Sequence, residues 1–336
     1  MSRSIPGEAA VRIAVLDDYQ DVFRTLSCYP KLKGHEVVVH HDSVKDPVKL
    51  AERLDGVEAV ILLQQRTPFP RAAAEKVTTL RLISQTGRNI NHIDVAACTE
   101  KGIVVCGSGA GLPNHTAELT WGLIFATLRH IPREVQQLRA GRWQTTLGTT
   151  VVGKTLGVYA YGRIGSIVAR VGRAFEMKVI CWGREGSTAR ARADGYEVAP
   201  SREAFFESAD IVSLHIPLNR ETRGIVKYGD LARMKPTALI VNTSRGPIIE
   251  ADSLVRALGE GRPGFGAFDV FDDEPVLGGN HPLLKMDNVV CTPHLGYVDR
   301  DTYEKYYGAA VDNILAYAAG KPANVLNSDV LKKGES

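Results

Sequence analysis

The sequence predicts an α/β protein built from two doubly wound parallel sheets. Three observations carry this expectation: short β-branched apolar runs recur along the chain, segments with helical spacing alternate with them, and the alternation restarts near Thr155 after a long helical stretch. Strand alternating with helix is the pattern of βαβ units, whose strands pair in parallel.

The first series opens with VRIAVLDD (Val11 to Asp18), followed by HEVVVH, VEAVILL and LRLISQTG. Their nearly continuous apolar character suits strands covered on both faces. Between them, DPVKLAERLDG (Asp46 to Gly56) reads as a helix, with Asp46 as its N-cap and Gly56 as its terminator. The segment GAGLPNHTAELTWGLIFATLRHIPREVQQLRAGRW begins with breakers, which puts a domain boundary near Pro113. It offers Asn114 or Thr116 as N-cap and should be helical through Thr127 or beyond. From Thr155 a second series runs through TLGVYAYGRIG, KVICWG, IVSLHIP, ALIVNTSRG, GFGAFDVF and NVVCTPHLG, ending at Gly296. Asp299 to Ala319 reads as a further helix, and KPANVLNSDV as a return strand.

Composition narrows the function classes. A chain of 336 residues, 44% of them hydrophobic, can bury two cores. With 41 Lys and Arg against 38 Asp and Glu, the net charge of +3 is too balanced to attract a polyanion, so no nucleic-acid partner is expected. The leader MSRSIPGEAA has no apolar centre, and no run approaches the roughly 18 apolar residues of a spanning helix. A soluble cytoplasmic protein without a membrane partner is the expectation. Cys28, Cys98, Cys106, Cys181 and Cys291 form no C-x-x-C pair, so they read as buried free thiols in a reducing compartment. No metal site is expected.

In GVYAYGRIGSIVAR, Gly157, Gly162 and Gly165 follow a strand-like run and precede a helix-like one, the setting of a phosphate-binding turn. Glycine lets a pyrophosphate approach the backbone, while the helix presents unpaired N–H groups and its positive dipole end. Ala160 stands where G-x-G-x-x-G has its first glycine, so the match is A-x-G-x-x-G. Gly162, Arg163, Ile164 and Gly165 are the expected phosphate-turn contacts. The next strand runs into Gly183 and Arg184, where such folds usually place an acid on the adenosine 2′-hydroxyl. A guanidinium there favours NADP(H), with NAD(H) the alternative; Glu185 opposes that inference, and Arg190 and Arg192 add positive charge.

Three further segments carry chemistry: NTSRG with Arg245, FDVFDDEP with Glu274 and CTPHLG with His294, spaced by 29 and 20 residues. Each closes a predicted strand, and the carboxyl ends of parallel strands line the ligand crevice. A histidine with a carboxylate partner is a tuned proton donor, and an arginine presents a planar fork to a carboxylate.

The order of these motifs resembles the D-isomer-specific 2-hydroxyacid dehydrogenase family, closest in flavour to its glyoxylate and hydroxypyruvate reductases, over nearly the whole chain. The resemblance implies a Rossmann-like cofactor domain (residues 113–297) inserted into a discontinuous flavodoxin-like substrate domain (residues 1–112 plus 298–336). It implies hydride transfer between a nicotinamide cofactor and a small 2-keto acid or D-2-hydroxy acid, with His294 and Glu274 as proton relay and Arg245 binding the substrate. Asp269 resembles the residue bonding the nicotinamide carboxamide. His215, Pro217 and Thr222 resemble a loop flanking the cofactor, and Thr243 and Gly296 join the expected cofactor contacts. In SQTGRNINHID, Gly87, Arg88 and Asn89 resemble the substrate-carboxylate cradle, although Asn89 replaces a family glycine and Asn91 a family Asp. Gln64 and Gln85 stand where phosphoglycerate dehydrogenases tend to carry arginines, which disfavours a phosphorylated substrate. The resemblance also implies a homodimer formed through Leu112 to Trp143, a segment bearing Arg129, Arg133 and Arg139. The alternative reading is a non-enzymatic, NAD(H)-sensing, corepressor-like scaffold of the same fold.

Overall fold

The computed structural model describes residues 10–107, 109 and 111–332. The leader before Ala10 therefore lies outside the described residues, as does Ala110 of the breaker segment. The chain divides into two compact units, one made of the residues up to Leu112 together with those from Asp299 onward, the other of Pro113–Val298.

The first unit carries β1 (Arg12–Val15), β2 (Glu36–Val39), β3 (Ala59–Leu62), β4 (Leu82–Gln85) and β5 (Val104–Gly107), all parallel in the order β2-β1-β3-β4-β5. This is the flavodoxin-like order, with its reversal between β1 and β3. Helices α1 (Pro47–Arg53), α2 (Arg71–Ala74) and α3 (Val95–Glu100) connect the strands. Asp46 caps α1 by accepting the Val48 and Lys49 N–H groups at 3.0 Å each. The core packs Leu50 and Leu54 of that helical turn on Val60, Ile83 and Val105.

The second unit opens with α4 (Asn114–Leu128) and α5 (Ile131–Arg139). Neither Asn114 nor Thr116 caps α4, because Pro113 occupies the cap position and Thr116 instead donates its hydroxyl to the Gly296 carbonyl at 2.8 Å. Then follow β6 (Thr155–Tyr159), α6 (Arg163–Ala174), β7 (Lys178–Trp182), α7 (Glu185–Ala193), β8 (Glu197–Val198), α8 (Arg202–Ser208) and β9 (Ile211–Leu214). The unit closes through α9 (Tyr228–Arg233), β10 (Leu239–Asn242), α10 (Ser253–Gly259), β11 (Phe265–Phe268) and β12 (Val289–Cys291). The seven strands are parallel in the order β12-β11-β10-β9-β6-β7-β8, so the winding reverses between β6 and β9. One face is buried by Trp121, Ile124 and Val168 of α4 and α6, the other by Phe205, Phe206, Leu231 and Leu258 of α8 to α10. Apolar side chains on both faces explain why these strands read as continuous hydrophobic runs.

The chain returns to the first unit with α11 (Arg300–Ala318), capped by Asp299, whose carboxylate accepts the Thr302 N–H at 2.8 Å. It lies on β4, where the Ser84 hydroxyl donates to the Ala310 carbonyl at 2.9 Å, and its Tyr307 packs against Phe23. The tail is not the expected return strand. It makes one antiparallel bridge, Val325 to Cys106, before a short α12 (Asp329–Lys332). The physical reason lies in Asn327, whose side chain accepts the Val105 N–H at 2.8 Å and donates to the Ile103 carbonyl at 2.9 Å, replacing the ladder bonds a longer strand would supply. All five cysteines are free thiols, and burial pushes the Cys98, Cys106, Cys181 and Cys291 thiols up to about 12. Among the described residues, no helix is long and apolar enough to cross a membrane.

Candidate active site

The phosphate-type turn joins β6 to α6 at the strand-order reversal. Ala160, in the place of a fingerprint glycine, sits at φ +74, a left-handed conformation that costs an L-residue about 1–2 kcal/mol. It is held there by its N–H on the Trp182 carbonyl at 2.8 Å and its carbonyl accepting the Gly162 N–H at 2.9 Å. Gly162 occupies the N-cap of α6, and a Cβ built on it would meet nothing within 4 Å, so open space faces the helix N-terminus. A Cβ at Gly165 would lie 2.6 Å from the Ala160 carbonyl oxygen, so only glycine lets α6 approach the turn this closely. Arg163 points outward, and Ile164 packs on the core. The residues present fit a dinucleotide: the positive dipole end of α6 and open space beside its first turn.

Beyond β7, Gly183 and Arg184 lead into α7. The Arg184 guanidinium is not free as the sequence suggests but lies 2.5 Å from a Glu221 carboxylate oxygen. Glu185 turns to Arg192 at 3.3 Å, and Arg190 donates to the Tyr161 carbonyl at 3.2 Å. His215 ends β9 with its ring 2.9 Å from the Ser213 hydroxyl; burial lowers it to about 4, so it is a neutral imidazole. Thr222 donates to the Pro217 carbonyl at 2.6 Å, and the Thr243 and Thr120 hydroxyls meet at 2.9 Å. The His215, Thr222 and Thr243 side chains thus each have a hydrogen-bond partner within the same unit.

At the other carboxyl ends, β10, β11 and β12 deliver the three chemical residues. The His294 Nδ1 lies 2.6 Å from a Glu274 carboxylate oxygen, with both side chains less than a fifth exposed. The second Glu274 oxygen accepts the Phe271 N–H at 2.9 Å, which fixes the carboxylate plane. His294 stands at φ +54, and its ring edge meets Tyr297 at 5.5 Å between centroids. Asp269, fully buried at the end of β11, holds the loop around that histidine by accepting the Thr292 hydroxyl at 2.6 Å and the Leu295 and Gly296 N–H groups at 2.6 and 2.8 Å. Burial raises its carboxyl, and those donors together with His294 act the other way. Its carboxylate thus braces its own chain, a positioning task the sequence did not suggest. Arg245 follows β10, half-buried, with Nη1 donating to the Ser244 carbonyl at 2.7 Å. The next residue, Gly246, runs against the end of β11: a Cβ there would lie 2.2 Å from the Phe271 carbonyl carbon. That backbone contact binds the arginine turn to the glutamate turn.

In the first unit, Gly87 stands at φ +89 after β4, and Arg88 and Asn89 are exposed. Asn89 turns its side-chain oxygen to the Asn91 N–H at 3.2 Å, shaping the loop where the family has glycine. Gln85 donates to the Gln64 carbonyl at 2.6 Å, and Gln64 to the Thr86 carbonyl at 3.1 Å.

A dinucleotide-type turn, a carboxylate-bound histidine and an arginine, all at the carboxyl edge of one doubly wound sheet, define a nicotinamide-dependent oxidoreductase. The profile of the D-isomer specific 2-hydroxyacid dehydrogenase NAD binding domain matches residues 121–296. The chain is 39% identical over 263 residues to a glyoxylate reductase of Aeropyrum pernix, covering 75% of this chain and 78% of the relative. A D-3-phosphoglycerate dehydrogenase of Methanocaldococcus jannaschii is 35% identical over 83% of this chain, which spans 53% of that longer protein. A solved phosphoglycerate oxidoreductase from Vibrio cholerae O395 superposes with a TM-score of 0.89 at 44% identity, covering 92% of this chain and 99% of that one. The chain belongs to the D-isomer specific 2-hydroxyacid dehydrogenase family, enzymes that move a hydride between a nicotinamide cofactor and a 2-keto or 2-hydroxy acid.

Proposed function

We propose that this chain reduces a small, unphosphorylated 2-keto acid of the glyoxylate or hydroxypyruvate kind to the 2-hydroxy acid, the D isomer where C2 is a stereocentre. The observation that carries the reading is the 2.6 Å pair of His294 and Glu274 at the strand edge that also bears Arg245. The Gly162–Gly165 turn and the N-terminus of α6 would hold the pyrophosphate of the dinucleotide. When bound, that cofactor supplies the hydride in reduction and accepts it in oxidation. His294 offers Nε2 as the proton donor to the substrate's carbonyl oxygen, because the Glu274 carboxylate orients the ring through Nδ1. Arg245 lays its guanidinium fork on the substrate carboxylate and counters the charge growing on the oxygen. Asp269 positions the His294 loop, and its Oδ2, which accepts only the Gly296 N–H, keeps capacity for the carboxamide contact expected of it.

By the family resemblance, Gly87, Arg88 and Asn89 of the discontinuous unit are assigned to the substrate carboxylate. Gln64 and Gln85 are neutral side chains whose amides donate to backbone carbonyls, which favours an unphosphorylated substrate. The family partner is a second copy of this chain. Helix α5 buries none of its residues and leaves Ile131, Val135 and Leu138 exposed beside Trp143 and Leu147, an apolar face of the kind a homodimer covers. Free thiols throughout suit the reducing cytoplasm.

The test is the absorbance of reduced nicotinamide with purified protein, NADPH or NADH and a panel of 2-keto acids. Turnover of glyoxylate or hydroxypyruvate, lowered about 10²- to 10⁴-fold in His294→Ala, is expected. No turnover of any keto acid while both dinucleotides still bind would overturn it in favour of a cofactor-sensing scaffold.

A further inference from the structure

We propose that Glu221 determines cofactor preference, serving as the acid that the end of β7 lacks. The proposal rests on a nicotinamide dinucleotide lying across the β6–α6 turn. In such folds an acid at the end of the second strand bonds the adenosine 2′-hydroxyl and repels a 2′-phosphate, whereas an arginine nearby accommodates that phosphate. Here β7 ends in Gly183 and Arg184, and taken alone the arginine selects NADP(H). The fold supplies a carboxylate from 37 residues further on, with Glu221 Oε2 2.5 Å from Arg184 Nη2.

Glu221 is delivered by a fixed turn. The Asn219 side-chain oxygen accepts the Glu221 and Thr222 N–H groups at 2.9 and 3.0 Å, and the Thr222 hydroxyl anchors the turn on the Pro217 carbonyl at 2.6 Å. Thr222 is 3% exposed, so the loop is rooted in the unit although its tip is in solvent. Glu185, the nearest acid in sequence, is drawn off toward Arg192 and leaves this position to Glu221. A 2′-phosphate must therefore displace the Glu221 carboxylate from Arg184 and then tolerate it as a neighbour. A 2′-hydroxyl meets neither demand and can donate to that carboxylate. The protein consequently takes both dinucleotides, with the phosphate preference of Arg184 held down by Glu221.

The pair is 68% and 75% exposed, so water and salt weaken it and the effect is a matter of several-fold rather than of decades. Calorimetric titration of NADP⁺ and NAD⁺ into the full-length protein at low salt tests it without depending on turnover. In Glu221→Gln, the ratio of NADP⁺ to NAD⁺ affinity rises about 3- to 10-fold over wild type. In the double variant with Arg184→Ala that gain disappears. A ratio unchanged within error in Glu221→Gln, or a gain that survives the loss of Arg184, overturns the proposal. Failure of both dinucleotides to bind wild type overturns the underlying reading of the turn instead, so the two failures are distinguishable.

Discussion

Lowering the pH from 7.5 to 5.0 should destabilise the inserted unit by about 2 kcal/mol through His215 alone. The ring is partly buried beside Ser213, and desolvation lowers its pKa from 6.5 to about 4. Between those values the unfolded chain takes up a proton that the folded chain refuses, so stability falls as pH falls across that window. At pH 5.0 the unfolded histidine is almost entirely protonated and the folded one about a tenth so, a ratio near 30, or about 2 kcal/mol. Above about pH 6.5 the contribution is nearly fully present, and below the folded value the loss levels off at about 3 kcal/mol. Urea unfolding followed by near-ultraviolet circular dichroism at the two pH values, on wild type and His215→Asn, isolates the effect as a difference of differences. Asparagine keeps a partner for Ser213 and does not titrate, so the variant should lose about 2 kcal/mol less than wild type on acidification. Equal losses in both proteins would refute the assignment of His215 as a neutral ring.

Gly246→Ala places a methyl carbon 2.2 Å from the Phe271 carbonyl carbon and 2.6 Å from the Asp272 nitrogen, so the Arg245 and Glu274 turns must part by about 1 Å. Steady-state kinetics should show kcat down about 10²-fold, and a kcat within threefold of wild type would count against the contact. Ala160→Gly relieves the left-handed strain at φ +74 and should raise the unfolding midpoint by an amount equivalent to about 0.5–1 kcal/mol, after the larger unfolded-chain entropy of glycine is set against it. A lowered midpoint in differential scanning calorimetry would contradict that. Leu138→Glu charges the outward face of α5, where Leu138 is 58% exposed, and should convert a dimer into a monomer in sedimentation velocity. A wild-type monomer would leave the α5 face unexplained.

The layout of both sheets was legible because each strand is buried on two faces, which makes short apolar runs conspicuous. Arg245, Glu274 and His294 were legible for a related reason: a parallel sheet gathers residues distant in sequence at one edge, so position at a strand end is itself information. Periodicity did not separate β5, whose Val104–Gly107 runs directly into breakers, or the two-residue β8. The tail failed as a strand because one side chain, Asn327, satisfies the backbone that a strand would have paired. Least visible was the environment of Arg184. Its partner is set by the course of a loop, and no spacing rule joins Glu221 to a residue 37 positions earlier. The same limit hid the grip of Asp269 on the His294 loop, because a carboxylate's partners depend on which N–H groups the loop turns inward.

The division of the first unit has a consequence for biosynthesis. Its sheet is translated first, yet helix α11, which lies on β4 and meets Ser84 and Phe23, is translated after the entire insert. At 5–20 residues per second the ribosome needs on the order of 10–40 s to make the insert, and throughout that interval one apolar face of the nascent sheet lacks its cover. The insert is contiguous and carries its own two cores, so it has all it needs to fold before its host does. The first unit can therefore be completed only after the whole insert has been synthesised.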